Sequence, residues 1–480
     1  MSNLNSGQDL STSSTSPSRR RIPWGGVSLA TALVLVCLLL APSLMAQAVD
    51  GKTQNLLSLF QFIYLYVQNN YVDPVDPETL IDGALKGMFE SLGDPHSAYL
   101  TEADLRNLND TTSGEFGGVG LYINKQTIPD KSKDSPSFVE VVSPIEGTPA
   151  YRMGIQAGDL IVKIEGESTA SMSIDEVVKR LRGQPGTTVT VTIQRGSARQ
   201  FDVSITRAVI QVPTVRYGMI PGGIGYIRII QFTPYTDDKV REAIESFQVE
   251  GYKALVIDLR MNPGGLLTSV IDTADLFFDD GVIVSTRSRI PSENAVYEAR
   301  PGAIVPSTVP IAVLIDGGSA SASEILAGVM KDRERAILFG AKTYGKGSVQ
   351  QVRSLGRTGF RLTTARYYTP SGVTIDKIGI SPDREVKEPP LSDQETEAYT
   401  NLIASRRIAT FVSEHPTPSE GEIQEFVDQL RTENPIFSDR ILKRMVRNEI
   451  NRHLPNPPVY DLEYDLVLQE AVKYLWEQGR

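Results

Sequence analysis

The chain has 480 residues, with 48 Lys and Arg against 58 Asp and Glu, for a formal net charge of −10. That length exceeds what one hydrophobic core serves, so several domains are expected. The acidic balance argues against a nucleic-acid surface, and the basic tract that stands out is Arg19-Arg-Arg21. One cysteine and three histidines, no two at ligand spacing, give no metal cluster, so neither metal nor cofactor is expected.

Residues 1–48 read as an export signal. A Ser/Thr-rich start ends in three arginines, and Val27 to Leu40 is almost continuously apolar. Ala46-Gln-Ala48 then offers a cleavage site after Ala48. The alternative is an uncleaved anchor over Ile22 to Met45. Either way the arginines keep the N-terminus cytoplasmic, and the rest of the chain is expected in the cell envelope or secreted. Cys37 lies within this segment, and its neighbours Val36 and Leu38 make a poor lipid-attachment site. A cleaved chain therefore has no thiol.

Residues 49–112 have a helical pattern. Leu56-Leu57, Phe60, Ile63-Tyr64 and Val67 recur at helical spacing. Pro74 and Pro77 interrupt it, and a second helix runs through Leu80 to Leu92. Asp94-Pro-His-Ser-Ala-Tyr99 is a turn, in which His96 reads as a capping or packing residue.

Residues 113–207 read as a compact β-rich domain. Gly117-Gly-Val-Gly120 precedes the apolar Leu121-Tyr-Ile123, and Phe138 to Val142 and Thr188 to Ile193 are further strands. The glycine run lacks G-x-G-x-x-G spacing and leads into a strand, which excludes a dinucleotide loop. The order resembles a PDZ domain, in which an added peptide strand leaves its terminal carboxylate on loop amides. That resemblance implies a carboxylate-binding loop at Gly117, Gly118, Val119, Gly120 and Leu121. The wall of the groove would be the helix bearing Ile174, Val178 and Leu181, with Arg182 at its end. Arg182 reads as a surface charge, or else as a partner for a peptide carboxylate or a link to the neighbouring domain.

Strands alternate with helices over 208–385, which argues an α/β core. Gly223 to Ile230 and Ala254 to Arg260 are strands, and Asp238 to Phe247 is an amphipathic helix. Asp258 and Arg260 read as structural. Asn262-Pro-Gly-Gly265 is a strand-to-helix turn with free amides. The second such turn follows the buried strand Ile311 to Ile315 and reads Asp316-Gly-Gly-Ser-Ala-Ser-Ala-Ser-Glu324. Ser321 and Glu324 have capping-box spacing, so a helix starts at Ser321. A serine there has amide donors and positive potential beside it, which nucleophilic serines require. None of His96, His415 and His453 lies in a motif that suggests a base. Lys346, between Gly345 and Gly347, is the better candidate, provided burial lowers its amine from about 10.4. Gly340 to Lys346 matches G-x-x-x-x-G-K, but Gly347 replaces the Ser/Thr and a strand follows, so a phosphate loop is rejected.

Gly318 to Glu324, followed by Lys346 in Gly-Lys-Gly-Ser-Val-Gln-Gln351, resembles the carboxyl-terminal processing proteases, or tail-specific proteases (peptidase family S41). The resemblance implies Ser321 as nucleophile, Lys346 as general base and Gln350 as the residue that orients it. It implies an oxyanion hole from Ala322 with Gly264 or Gly265. The implied fold is multidomain α+β: a helical N-terminal segment, a PDZ domain, an α/β crotonase-like protease core and a helical C-terminal domain over 386–480. In that domain Leu402, Ile408, Phe411, Ile423, Phe426, Leu430, Ile441 and Met445 serve either a small core or a subunit contact. The expected function is endoproteolysis near the C-termini of exported proteins, the partners being protein or peptide substrates with free C-termini. The competing reading is a catalytically silent PDZ scaffold of the envelope.

Overall fold

The computed structural model describes residues 51–125, 138–145, 147–156, 158–196, 199–387, 392–454 and 457–478. The export signal or anchor read over 1–48, with Arg19–Arg21 and Cys37, lies outside them. Contacts divide the chain into two units at Ala84/Leu85.

In the first unit, the helix Gly51–Asn70 has no buried residue, so its Leu56, Leu57, Phe60 and Ile63 stay exposed. The next helix, Pro77–Glu90, opens on a proline, whose missing N–H would be unpaired there anyway. Asp76 caps it, accepting from the Thr79 N–H at 3.2 Å and the Thr79 hydroxyl at 2.9 Å. Among the described residues no helix is long and apolar enough to cross a membrane.

The second unit begins at Leu85, within the helix Pro77–Glu90, and a turn follows at Asp94. Its last residues are not only a turn: Ala98–Leu100 is a short strand, antiparallel to Thr358–Tyr368 with Ala98 opposite Arg361. Glu115–Gly118 pairs with Ala208–Gln211 to make a two-stranded neck. Between these strands lies an antiparallel sheet in the order Leu121–Asn124, Val139–Pro144, Leu160–Ile164, Thr188–Arg195, Arg199–Thr206. Alternation sets its faces: Val189, Val191 and Ile193 are fully buried, and the threonines between them point away from the core. The helix Ile174–Leu181 covers that core with Val177 and Leu181.

The α/β region is a six-stranded sheet in the order Val215–Ile220, Ile224–Ile229, Ala254–Asp258, Ile311–Ile315, Ile337–Gly340, Arg384–Glu385. The first pair is antiparallel and the rest are parallel. Ala254–Asp258 and Ile311–Ile315 are buried at every position, which is why they read as unbroken apolar runs. Helices Thr236–Glu250, Leu267–Ala274 and Ala322–Asp332 contribute to one core cluster with the sheet. The C-terminal helix Leu466–Gln478 packs into a separate cluster with Tyr226, Val256, Leu314 and Phe339. A second sheet joins Val282–Ser288, Thr358–Tyr368 and Ser348–Leu355.

The C-terminal region does two jobs. Helices between Asp393 and His453 enclose their own core of Leu402, Ile408, Phe426, Leu430 and Met445, with Phe411 and Ile441 packed against it. The last helix is tied to the six-stranded sheet instead. Arg260 bridges the two, donating to Asp258 at 3.0 and 2.6 Å and to Asp465 at 2.8 and 2.6 Å. Burial alone would raise the Asp258 carboxyl, but hydrogen bonds from Arg260 and Tyr226 hold it below the usual range. Asp258 and Arg260 are structural residues of this junction.

Candidate active site

Two strand-to-helix turns meet at the C-terminal ends of the two central strands of the sheet, Ala254–Asp258 and Ile311–Ile315. The Asp316 carboxylate accepts from the N–H of Gly318 and the N–H of Met261, both at 2.9 Å, and so ties one turn to the other. The Asn262 carbonyl accepts from the Ala320 N–H and the Ser323 hydroxyl, also at 2.9 Å. Ser321 then takes the N-cap position of Ala322–Asp332 at φ 55° and ψ −115°. A side-chain-bearing residue rarely adopts such a conformation, and the surrounding structure must hold it there.

The residue that holds it is Glu324. Its fully buried carboxylate accepts from four donors. One oxygen takes the Ser321 N–H and the Lys346 N–H, each at 2.8 Å. The other takes the Gly345 N–H at 2.7 Å and the Thr343 hydroxyl at 2.6 Å. The backbone nitrogens of Ser321 and Lys346 are therefore two hydrogen bonds apart, although 25 positions separate them in sequence. Sequence reasoning gave Glu324 only a capping role. The spacing signalled the bond to Ser321 and nothing in it signalled the three bonds to the lysine turn.

The glycines flanking Lys346 have separate reasons. A Cβ on Gly347 would fall 2.1 Å from the Asp376 amide nitrogen, and Gly345 sits at φ 91°. Burial pushes the Lys346 amine down from its ordinary value and the nearby Arg361 pushes it further, while Glu324 opposes both. His96 lies in the same field. Burial lowers its imidazole, and the Lys346 charge adds to that.

Among the described residues no hydrogen bond joins the Ser321 hydroxyl, the Lys346 amine and the Gln350 amide to one another. Gln350 instead donates to the Ser348 hydroxyl at 2.8 Å and the Thr363 hydroxyl at 3.3 Å. Ala322 is buried beside Ser321, and Gly264 presses on both: a Cβ there would lie 2.8 Å from Ser321 Cβ and 2.9 Å from the Ala322 nitrogen. The Gly264 N–H is taken by the Asn262 side-chain oxygen at 2.9 Å. The N–H groups of Gly265 and Ala322 donate no hydrogen bond among the described residues.

The sequence-derived peptide groove is rearranged in part. Gly117 and Gly118 belong to the neck strand rather than to a loop, because Glu115–Gly118 pairs with Ala208–Gln211. Gly117 must be small there, since a Cβ would fall 2.2 Å from the Gly183 carbonyl oxygen. Val119 is buried, Gly120 turns at φ 82°, and Leu121 begins the outermost strand of the antiparallel sheet. Leu181 faces the domain core, and Ile174 and Val178 remain on the outer side of their helix. Arg182 is not a solvated charge. It pairs with Asp110 at 3.0 Å and lies 4.7 Å over the Phe116 ring. His415 stacks on Phe411, remote in sequence from the serine turn, and the His453 side chain lies outside the described residues.

Comparisons with known proteins bear on this arrangement. The model of peptidase family S41 matches residues 223–386, a PDZ domain model matches 140–195, and the activating protease CtpB N-terminal domain matches 42–103. A carboxy-terminal-processing protease of Bartonella bacilliformis is 42% identical over 355 residues, covering 72% of this chain and 79% of the relative. A probable CtpA-like serine protease of Staphylococcus aureus is 33% identical over 365 residues, covering 76% and 71%. Among solved structures, the photosystem II D1 C-terminal processing protease is 30% identical with a TM-score of 0.41, covering 76% of this chain and 94% of its own. The chain belongs to peptidase family S41, the carboxy-terminal-processing proteases, and is a serine-type peptidase with a PDZ domain.

Proposed function

We propose that Ser321 is the nucleophile and Lys346 the general base of an endopeptidase that takes hold of a protein by its free C-terminus. The observation that carries this reading is the Glu324 carboxylate, which binds the backbone of both residues at once. The Ser321 oxygen attacks the scissile carbonyl carbon and its proton passes to the neutral Lys346 amine. The N–H groups of Ala322 and Gly265, the latter left free where Gly264 is not, receive the developing oxyanion. The Lys346 ammonium then returns its proton to the leaving amine, which departs as the C–N bond breaks. Water, activated by the same amine, hydrolyses the acyl-enzyme. Gln350 orients the amine.

The PDZ domain supplies recognition. Its outermost strand from Leu121 can accept a peptide as an added strand, with the amides around Gly120 at the carboxylate and Ile174 and Val178 beside the terminal side chain. The N-terminal segment supports export to the cell envelope, with the signal cleaved after Ala48 or retained as an anchor. N-terminal sequencing of the protein isolated from cells distinguishes the two. The central test is cleavage of an unstructured protein by the wild type, Ser321→Ala and Lys346→Ala. Activity in either folded variant overturns the dyad.

A further inference from the structure

One side-chain chain reaches the candidate site from outside the protease and PDZ segments. Asp94 opens the turn that precedes Ala98–Leu100. Its carboxylate accepts from the Ser97 hydroxyl at 2.6 Å and from the His96 N–H at 3.0 Å. The Ser97 oxygen in turn accepts from the Thr363 N–H at 3.0 Å. Burial raises the Asp94 carboxyl, but the hydrogen bonds it accepts outweigh that and keep it below its usual range. The Thr363 hydroxyl accepts from Gln350, the residue directly opposite it in the strand pair. Backbone pairing of Ala98–Leu100 with Gly359–Arg361 fixes the turn in place.

The direction of these bonds matters. The Ser97 hydroxyl donates to the Asp94 carboxylate and so turns its lone pairs to the Thr363 N–H, and the Thr363 side chain held in this way receives the Gln350 amide nitrogen. With that nitrogen committed to Thr363 and Ser348, the atom of Gln350 left over is its carbonyl oxygen, the acceptor a lysine amine requires. We infer that the Asp94–Ser97 turn is a positioning element of the protease site, setting the orientation of the Gln350 amide through Thr363. The inference rests on the assignment of Lys346 as base and Gln350 as its orienting partner. The charged groups around the amine are Glu324 on the serine helix, Arg361 on the strand shared with Thr363, and His96 in this same turn.

The test uses the full chain and a peptide substrate, with kcat and KM measured separately for Asp94→Ala, Thr363→Val and the double variant. Each single change is expected to lower kcat about tenfold with KM within about twofold, the scale of one lost hydrogen bond to a charged group. The double variant is expected to be no slower than the slower single, because both act through one amide. The rising limb of the pH–rate profile should shift in the same direction as in Gln350→Ala, an effect that loosened packing alone does not produce. Unchanged kcat, a change confined to KM, or losses that multiply in the double variant overturn the inference. If Asp94→Ala fails to fold, Thr363→Ser decides it: the restored hydroxyl must return at least about half of the kcat lost in Thr363→Val. Ser321→Ala and Lys346→Ala in the same assay report on the dyad separately, since activity in either defeats that assignment whatever the coupling between Asp94 and Thr363.

Discussion

The turn at Ser321 and the groove of the PDZ domain are built to opposite specifications. Ser321 is 8% exposed, Glu324 and Asn262 are fully buried, and three backbone segments converge on two side chains there. The proposed groove draws on an outermost strand and a short helix, and Ile174 on that helix is 36% exposed. On the proposed reading, chemistry needs donors fixed before the reaction begins, and the Ser321 turn offers them where burial makes each hydrogen bond count. Recognition of many chain ends, on the same reading, needs an open edge and an adaptable apolar wall, which the surface provides. A change in the first region should therefore abolish turnover or destabilise the fold, and a change in the second should only shift substrate preference.

The largest effect is expected at the dyad itself. Ser321→Ala and Lys346→Ala should each lower kcat by at least about 10³-fold, with peptide affinity for the PDZ domain unchanged. Loss of affinity in step with kcat would merge the two regions that the comparison separates. The next effect belongs to Glu324. Glu324→Gln keeps the shape but, whichever way it turns, faces an amide NH₂ against at least one backbone N–H donor, and should cost about 3 kcal/mol of stability. Urea denaturation reads that loss, and cleavage at low temperature should fall even where the protein remains folded. A variant with wild-type stability would show that the four-donor cluster is not what joins the serine and lysine turns.

Titration of Lys346 gives the third. Its amine is lowered in the folded state, first by burial and then by Arg361. Activity should rise with pH through that lowered value, below the ordinary lysine range, and no histidine substitution should remove the limb. Stability carries the matching sign. Between the folded and unfolded lysine values the unfolded chain binds more protons, so stability climbs with pH, and below both values the whole penalty is present. Lys346→Met should therefore melt higher than the wild type at pH 6, with the advantage shrinking as the pH rises. A melting advantage that grows with pH would contradict a desolvated lysine.

Much of this arrangement was legible because the chemistry is local in sequence. Small residues before a helix mark the serine turn, and glycines on both sides mark a lysine in tight backbone. The alternation in Thr188 to Ile193 and the unbroken apolar runs at Ala254 and Ile311 mark two kinds of strand. What stayed hidden depends on pairing between distant segments. Asp94 and Ser97 look like an ordinary turn until Ala98 is set opposite Arg361, which puts Thr363 within reach. Arg182 looks solvated until the neck brings Phe116 and Asp110 to it. The last helix reads in sequence as part of a separate domain, because an apolar stripe does not say which partner it covers. Leu181 was assigned to the groove for a similar reason. It lies one turn beyond Val177 on the same helix face, and the pair faces the domain core.

The smallest expected effect belongs to the open region. If the PDZ domain takes a chain end, the amides around Gly120 must meet a carboxylate, and removing its charge loses a hydrogen bond to a charged group, about 1.5–3 kcal/mol. A peptide ending in a small apolar residue should thus be cut with kcat/KM at least about tenfold above its C-terminally amidated form. Ile174→Ala should cost the free-acid peptide about threefold, entirely in KM, since a half-exposed side chain gives up only part of its burial on truncation. The amidated peptide should be indifferent to Ile174→Ala, because it no longer depends on the groove. Equal cleavage of free and amidated peptides would remove the groove from substrate selection and leave the PDZ domain a role in gating or localisation. A kcat effect in Ile174→Ala would mean that the open groove and the buried dyad are coupled, and that the division of labour between them is incomplete.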